Sequence, residues 1–416
     1  MDSNTYDALI IGCGPGGSSA ATFLAHAGKR VLALEKEIFP RFHIGESLLP
    51  GSHALFREMG ILPKIQEAGF LRKIGARFEL SNGSRGTTFI FGDGRFNREP
   101  EAIHVERSIF DHVLLKHARD SGADVREGWT VQNVAPDNDG VTVEACSPEN
   151  QTHKFRASFL VDASGRGNFT GNQEGQRIIH PKHKKLAIFG HFLNVNLPPV
   201  AQRTETIIVR LPDKWFWIIP LSAEKTSVGL VIDKDEFART NAKAEEIFHH
   251  WVQASPVVKS RMEGASLFGA MQTTTDFSYY NRRLAGPRLL RVGDAAGFMD
   301  PIFSAGVFLA MWSGKLAAQS IVEALHRGDD VRFARYEKRV RRGLRFYWRV
   351  VENYYTTPFM ELFLSPSDHL DLASALIAVL AGEAEGGWAL RWRVEYFFWL
   401  VKLQARWPLV PRISFT

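Results

Sequence analysis

The chain has 416 residues, 45% of them hydrophobic and 23% charged, with a formal net charge of +6. That is a globular composition, and the length calls for one large domain with a second module or for two interleaved domains. Two cysteines, Cys13 and Cys146, cannot build a disulfide framework or a tetrahedral metal site, so neither is expected. The opening MDSNTYD has no basic and apolar leader, and apolar stretches such as residues 372–381 are too short to cross a bilayer, so a cytoplasmic location is expected.

The first element signal is YDALIIGCGPGGSSAATFLAHAGKRVLALEK. Residues 8–11 are short, apolar and β-branched, which predicts a buried strand. Gly12, Gly14 and Gly17 follow at once in the spacing G-x-G-x-x-G, and small residues continue into a predicted helix. Residues 31–34 predict a second strand, ending in Glu35. Gly12 makes the tight turn, Gly14 lets a pyrophosphate approach the backbone, and Gly17 permits close helix–strand packing. The helix start offers N–H groups and a positive dipole end to phosphates, and Glu35 stands about 20 residues on for ribose hydroxyls. Together these predict dinucleotide binding.

Beside that turn, FPRFHIGESLLP (residues 39–50) gathers Arg41, His43, Gly45, Glu46 and Ser47 in one loop. Ser47 or Ser52 also suits a helix N-cap. GFLRKIGARFEL (69–80) sets Lys73 before Gly75-Ala76, and VERSIFDHVLLKHA opens on Arg107. Residues 80–105 and 180–285 are strand-rich, with a helix expected over 243–254. FLVDASGR (159–166) predicts a strand running into a small-residue turn. In LPDKWFWIIPLS (211–222), Trp215, Trp217 and Ile219 share one face of an extended strand, as they would also in an ordinary sheet core. Residues 289–325 predict a strand, a Gly293-Asp294 turn, a loop and a long helix. The charge excess is local: eight Arg or Lys residues fall between Arg332 and Arg349 against Glu337 alone. No nucleic-acid motif accompanies them, so the run is a solvated helix face or a surface for an acidic partner. The aromatic, basic C-terminal region predicts helices that close over a cavity, or a docking surface for an acyl carrier protein or a membrane interface.

Three of these segments, namely the glycine-rich turn, FLVDASGR and the Gly293-Asp294 stretch, resemble the fingerprints of glutathione-reductase-like flavoproteins, and of their aromatic-hydroxylase branch in particular. The resemblance implies an α/β fold: an FAD-binding Rossmann-like domain with an inserted β-sheet substrate domain and a C-terminal helical region. It implies FAD-domain boundaries of 1–80, 100–180 and 285–330, a sheet domain of 80–100 and 180–285, and a helical cap of 330–416. It also implies Asp294 on the ribityl chain, Arg107 near flavin and pyrophosphate, and the helix after Gly306 aiming its positive end at the flavin ring. No second G-x-G-x-x-G unit exists, since FGDGRF (91–96) lacks the third glycine, so reducing equivalents are expected from a separate flavin reductase.

Trp215, Trp217, Ile219 and Pro220 resemble the Trp-x-Trp-x-Ile-Pro motif of flavin-dependent halogenases, with Lys214 where the family usually carries Gly. An indole wall would bar organic molecules from the oxygen activated on the flavin while admitting chloride or bromide, so that hypohalous acid forms. The segment around Lys73 resembles the family's lysine segment, and implies that Lys73 hydrogen-bonds hypohalous acid or forms a haloamine. The loop 39–50 resembles that of halogenases acting on carrier-protein-tethered pyrroles, phenols and related substrates. That implies Arg41 against negative charge on the cofactor and Gly45, Glu46 and Ser47 shaping the flavin and halide side. Halide would fall to backbone N–H groups around Ser304, Gly306 and Val307. Phe303 stands where the free-tryptophan halogenases carry Glu, which points to the phenol and carrier-protein branch and leaves the acid–base partner of Lys73 unassigned. The implied activity is halogenation of an electron-rich aromatic, free or on a carrier protein. An FAD monooxygenase or a geranylgeranyl-reductase-type enzyme stands as the alternative, and a flavin-binding scaffold as a third reading. The resemblance covers roughly residues 1–330.

Overall fold

The computed structural model describes residues 5–181, 184–198, 204–275, 278–327, 332–367, 369–383 and 386–415. One sheet has eight strands, five of them side by side and parallel in the order Leu289–Arg291, Thr152–Asp162, Thr5–Ile11, Val31–Glu35 and Asp124–Glu127. Helices cover such a sheet on both faces, so its strands are apolar without alternation; all five residues of Val31–Glu35 are buried. The first part of Thr152–Asp162 also pairs with an antiparallel meander, Val141–Cys146 and Thr130–Pro136.

Two helices pack on this sheet and on each other, Pro15–His26 and Gly306–Arg327. Their contact is made backbone to backbone. A Cβ added to Gly314 would lie 2.5 Å from the Gly16 carbonyl oxygen, and one on Gly16 would meet Ala310 O at 3.3 Å. The small residues that open the first helix therefore serve this crossing as well as the turn before it.

A second sheet has seven strands in the order Ser266–Thr275, Lys185–Leu193, Lys225–Asp233, Trp215–Pro220, Glu205–Arg210, Gly75–Leu80 and Gly86–Ile90. Gly75–Leu80, which the sequence reading left in the first module, is thus an inner strand of this sheet, paired parallel with Glu205–Arg210. The preceding residues Leu71–Lys73 pair with Ala102–His104 in a separate ladder. Ladder partners share a face, so the register aligns Trp217 with Ile208, Phe78, Gly229 and Phe189. The opposite face carries Ile207, Val209, Phe216, Ile218 and Leu230, which pack with residues of the helices Ala244–Ala254 and Pro256–Met262. Burial on both faces explains why WFWIIP is apolar throughout.

The C-terminal region forms the helices Arg332–Tyr354, Thr357–Phe363, Leu372–Ala381 and Trp388–Arg406; the side chain of Arg332 lies outside the described residues. The apolar run 372–381 is a mostly buried helix that packs against the turn Phe91–Asp93. Among the described residues no helix is long and apolar enough to cross a membrane. Buried Glu361 accepts from Gln404 Nε2 at 2.6 Å, Arg412 NH1 at 3.0 Å and Ile413 N at 3.1 Å. Arg85 and Asn82 donate to the carbonyls of Pro411 and Ser414, so residues 411–414 are bound to the hairpin of the second sheet.

Because the Gly314 contact is with a carbonyl oxygen rather than a flexible side chain, Gly314→Ala forces the two helices apart. We expect a loss of about 1–3 kcal/mol in urea unfolding, whereas Ala317→Gly, on the same helix, loses only about 1 kcal/mol. An unchanged midpoint for Gly314→Ala would contradict the close crossing.

Candidate active site

The turn after Thr5–Ile11 closes only with glycine. Gly12 has φ +89°, and a Cβ there would lie 2.6 Å from Ala163 O; a Cβ on Gly17 would lie 1.9 Å from Gly12 O. Gly14 is open by contrast, facing only the Arg41 guanidinium at 3.6 Å. Glu35 is buried, and its carboxylate accepts from Cys13 N at 2.7 Å and Glu37 N at 2.9 Å, which fixes it beside the turn. Arg107 clamps Asp111 through Nε (2.7 Å) and NH2 (2.8 Å) and donates from NH1 to Ile44 O at 2.8 Å. Arg41 NH1 lies 3.2 Å from the same Asp111. One buried carboxylate therefore holds two cations next to Gly14 and Gly45. Gly45 has φ +106°, and a Cβ on it would lie 3.0 Å from Arg107 NH1. Burial raises the Asp294 carboxyl to about 6, against the lowering fields of Arg166 and Arg107. An open cradle, two fixed cations and a preset acid suit a dinucleotide pyrophosphate and its ribose.

On the second sheet, Trp215 and Trp217 are both buried on one face, with ring centroids 5.9 Å apart. The row continues to Phe189, 5.8 Å from Trp217, and to Phe42, stacked 6.2 Å from Phe189. Trp217 lies across the neighbouring strand: a Cβ on Gly229 would fall 2.2 Å from its ring, and Nε1 donates to Ser227 Oγ at 3.1 Å. Trp215 Nε1 donates to Tyr355 OH at 2.9 Å, and that hydroxyl donates to Asp300 Oδ2 at 2.5 Å. Asp300 Oδ1 in turn accepts from Ile302 N at 3.2 Å, in the turn before Ser304. Ser304 has φ +56°, and the helix Gly306–Arg327 starts just beyond it. Gly306 and Val307 precede the first intrahelical bond, Leu309 N to Ala305 O, so their N–H groups belong to the free first turn. Phe303 is buried among Phe78, Tyr354 and Phe363.

Lys73 is 2% exposed. Its Nζ donates to Leu48 O at 3.0 Å and sits 5.2 Å from the centre of the Phe91 ring. It makes no ion pair among the described residues, and burial lowers its pKa from 10.5 to about 7. Three short segments form its walls: residues 46–48 bond to 103–105, and Leu71–Lys73 pairs with Ala102–His104. Gly51 N donates to Ala381 O, at the end of the cap helix that also covers Phe91. Ser47 caps no helix; its Oγ lies 2.7 Å from Thr206 Oγ1, which lies 2.9 Å from His104 Nε2. Burial, and then the Lys73 charge, push the His104 pKa well below 6.5, so the imidazole is neutral. Glu46 is also buried, with Oε1 2.6 Å from His191 Nε2.

The residues singled out in the sequence thus fall into three neighbouring groups. Gly12, Gly14, Gly17, Glu35, Arg41 and Arg107 stand at the nucleotide turn, the tryptophans with residues 300–307 form a second group, and Lys73 with Ser47 a third. Sequence reasoning missed Asp111, Thr206, His104, His191, Tyr355 and Asp300. Asp111 was within reach, four residues after Arg107 on one helix. Tyr355 and His191 carried no local signal.

Gly229→Ala is expected to push the Trp217 ring off its strand, with a loss of about 1–3 kcal/mol and a red shift in tryptophan emission. Emission and stability equal to those of the unaltered protein would show that the ring does not lie across Gly229.

Residues 5–353 match the family model of the FAD binding domain. The chain is 30% identical to a 1H-pyrrole-2-carbonyl-[peptidyl-carrier protein] chlorinase of Pseudomonas fluorescens, over 90% of each chain. It is 34% identical to the corresponding brominase of Pseudoalteromonas luteoviolacea, over 78% of this chain and 79% of that one. Among solved structures, the flavin-dependent brominase Bmp2 superposes with a TM-score of 0.85 at 29% identity, over 96% of this chain and 100% of the other. With the nucleotide turn, the double-tryptophan strand and the buried lysine in place, the chain belongs to the flavin-dependent halogenases and is an FAD-dependent enzyme.

Proposed function

We propose that this enzyme halogenates an electron-rich phenolic or pyrrolic ring, presented as a thioester on a carrier protein, with reducing equivalents delivered by a separate flavin reductase. The single observation that carries the reading is Lys73, a buried lysine that has no counter-ion among the described residues and donates to a backbone carbonyl. Reduced FAD, when bound, supplies the activated oxygen that converts chloride or bromide to hypohalous acid.

The chain's own residues do the rest. Gly12, Gly14, Gly17 and the helix behind them seat the pyrophosphate; Glu35 takes ribose hydroxyls, Asp294 the ribityl chain, and Arg41 and Arg107 oppose negative charge on the cofactor. The N–H groups around Ser304, Gly306 and Val307 hold halide. Trp215 and Trp217 exclude organic molecules, so that halide is the species oxidised. Lys73, its pKa lowered by burial to about 7, has a lone pair for the halogen of hypohalous acid near neutral pH. The N–X bond forms as the X–O bond breaks and hydroxide leaves with the proton the nitrogen gives up. The ring carbon then takes the halogen as the N–X bond breaks with its electron pair on nitrogen, and the ring's proton passes to that nitrogen, restoring both aromaticity and the amine. Phe303 supplies no carboxylate, so the chain His104–Thr206–Ser47 is the polar group that borders this amine.

The test supplies a flavin reductase, NADH, oxygen and bromide, and follows phenols, pyrroles and carrier-bound pyrrole by mass spectrometry. Lys73→Met is expected to abolish halogenated product while hydrogen peroxide still forms; hydroxylated product from the unaltered enzyme would instead make it a monooxygenase. Stability gives a readout free of catalysis. The lysine's pKa is about 7 folded and 10.5 unfolded, so the unfolded chain binds the extra proton between those values. The penalty of the buried charge is complete below pH 7 and fades as pH rises to 10.5. Lys73→Met should therefore stabilise the fold by a few kcal/mol, on the order of the pKa difference at 1.4 kcal/mol per pH unit, below pH 7. That gain should shrink towards pH 10; a gain that grows with pH would refute a desolvated amine.

A further inference from the structure

The helix Arg332–Tyr354 turns Tyr336, Val340, Tyr347 and Val351 into the core. Its outer face carries Arg335, Lys338, Arg342 and Arg345, spaced three, four and three apart and all exposed. None of the four makes an ion pair among the described residues. Acids on the same helix are engaged elsewhere, Glu337 with Arg341 and Glu352 with His180. Like charges three or four apart on a helix repel, so this stripe weakens its own helix.

The stripe runs on to Arg349, which pairs with Glu395 at 2.5 Å and lies 3.9 Å over the Phe398 ring. Glu395 belongs to the helix Trp388–Arg406, whose outer face sets Trp388, Trp392, Tyr396 and Trp399 in a row with ring centroids 6.4, 6.5 and 5.6 Å apart. Trp388 is 79% exposed and Trp399 52%. A row of free cations is thus joined at Arg349 to an exposed aromatic ladder. Single exposed apolar residues are ordinary, whereas a contiguous patch marks a partner.

We infer that this composite face is the docking surface for the carrier protein, an inference that rests on the tethered-substrate reading above. Carrier proteins are small acidic helical domains, so the cations supply steering and the aromatics supply buried area. The stripe lies on an element tied to the candidate active site at its far end. The helix bearing the stripe ends at Tyr354, and Tyr355 beyond it binds Trp215 and Asp300. The carrier-protein chlorinase aligns over nine-tenths of this chain, an extent that must take in part of this helical region.

The test compares the unaltered enzyme with a charge reversal of all four positions (Arg335→Glu, Lys338→Glu, Arg342→Glu, Arg345→Glu) and with a variant bearing lysine at all four. The probes are a fluorescent peptidyl carrier protein charged with pyrrole-2-carboxylate, the same acyl group on free pantetheine, and phosphatidylglycerol vesicles. Reversal should weaken carrier binding at least tenfold by anisotropy and remove its salt dependence. It should cut kcat/KM for carrier-bound pyrrole by a similar factor, leave the pantetheine thioester unaffected, and be rescued by the all-lysine variant. Equal carrier kinetics in all variants, equal losses on both thioesters, or loss of vesicle binding alone would each overturn the surface. Failure of the unaltered enzyme to bind or halogenate the carrier-bound pyrrole would instead refute the tethered-substrate reading, and the surface with it.

Discussion

Three segments far apart in the sequence meet at the hydroxyl of Tyr355. It accepts from the indole of Trp215 and donates to Asp300, so the tryptophan strand, the cap and the turn before the Gly306 helix are bound to one oxygen. Burial raises the pKa of both Asp300 and Tyr355, and leaving a buried polar group without its hydrogen-bond partner costs about 1–3 kcal/mol. The spacing between the tryptophan wall and the start of that helix is therefore set by a short polar row rather than by packing alone. The tryptophan strand, the cap and the turn before that helix are held in one arrangement.

Around Lys73 the physics runs the other way. Among the described residues no carboxylate pairs with the amine, and the groups around it are a carbonyl, a ring and an imidazole. A buried ammonium is unfavourable unless it is paired. The chain accepts this and closes the space with the helix Leu372–Ala381, so that the amine keeps a lone pair near neutral pH. In the proposed reaction the wall and the amine are complementary: bulk would decide what reaches the oxidant, and desolvation what receives its product.

Much of this was legible in the sequence, for identifiable reasons. The glycine turn could be read because positive φ and backbone contact leave Gly12 and Gly17 no substitute. Trp215 and Trp217 could be placed on one face because strand periodicity is two. What could not be read depends on which strand lies beside which. The parallel pairing of Gly75–Leu80 with Glu205–Arg210 joins residues about 130 positions apart, and no local pattern announces it. Thr206 and His104 come to Ser47 only through that pairing and through the ladder around Lys73. Gly229 looks like any strand glycine until the Trp217 ring is laid over it.

The Trp217 ring has a chemical as well as a steric meaning. Indole is among the most electron-rich groups a protein contains, and in the proposed reaction two of them would border the space where an electrophilic halogen is produced. The wall would then compete with the substrate for that product. Trp217 is covered by the backbone of Gly229, and its N–H is spent on Ser227, which leaves little of the ring open to attack. On the proposed function, the glycine and the serine on the neighbouring strand shield Trp217 from the oxidant made beside it.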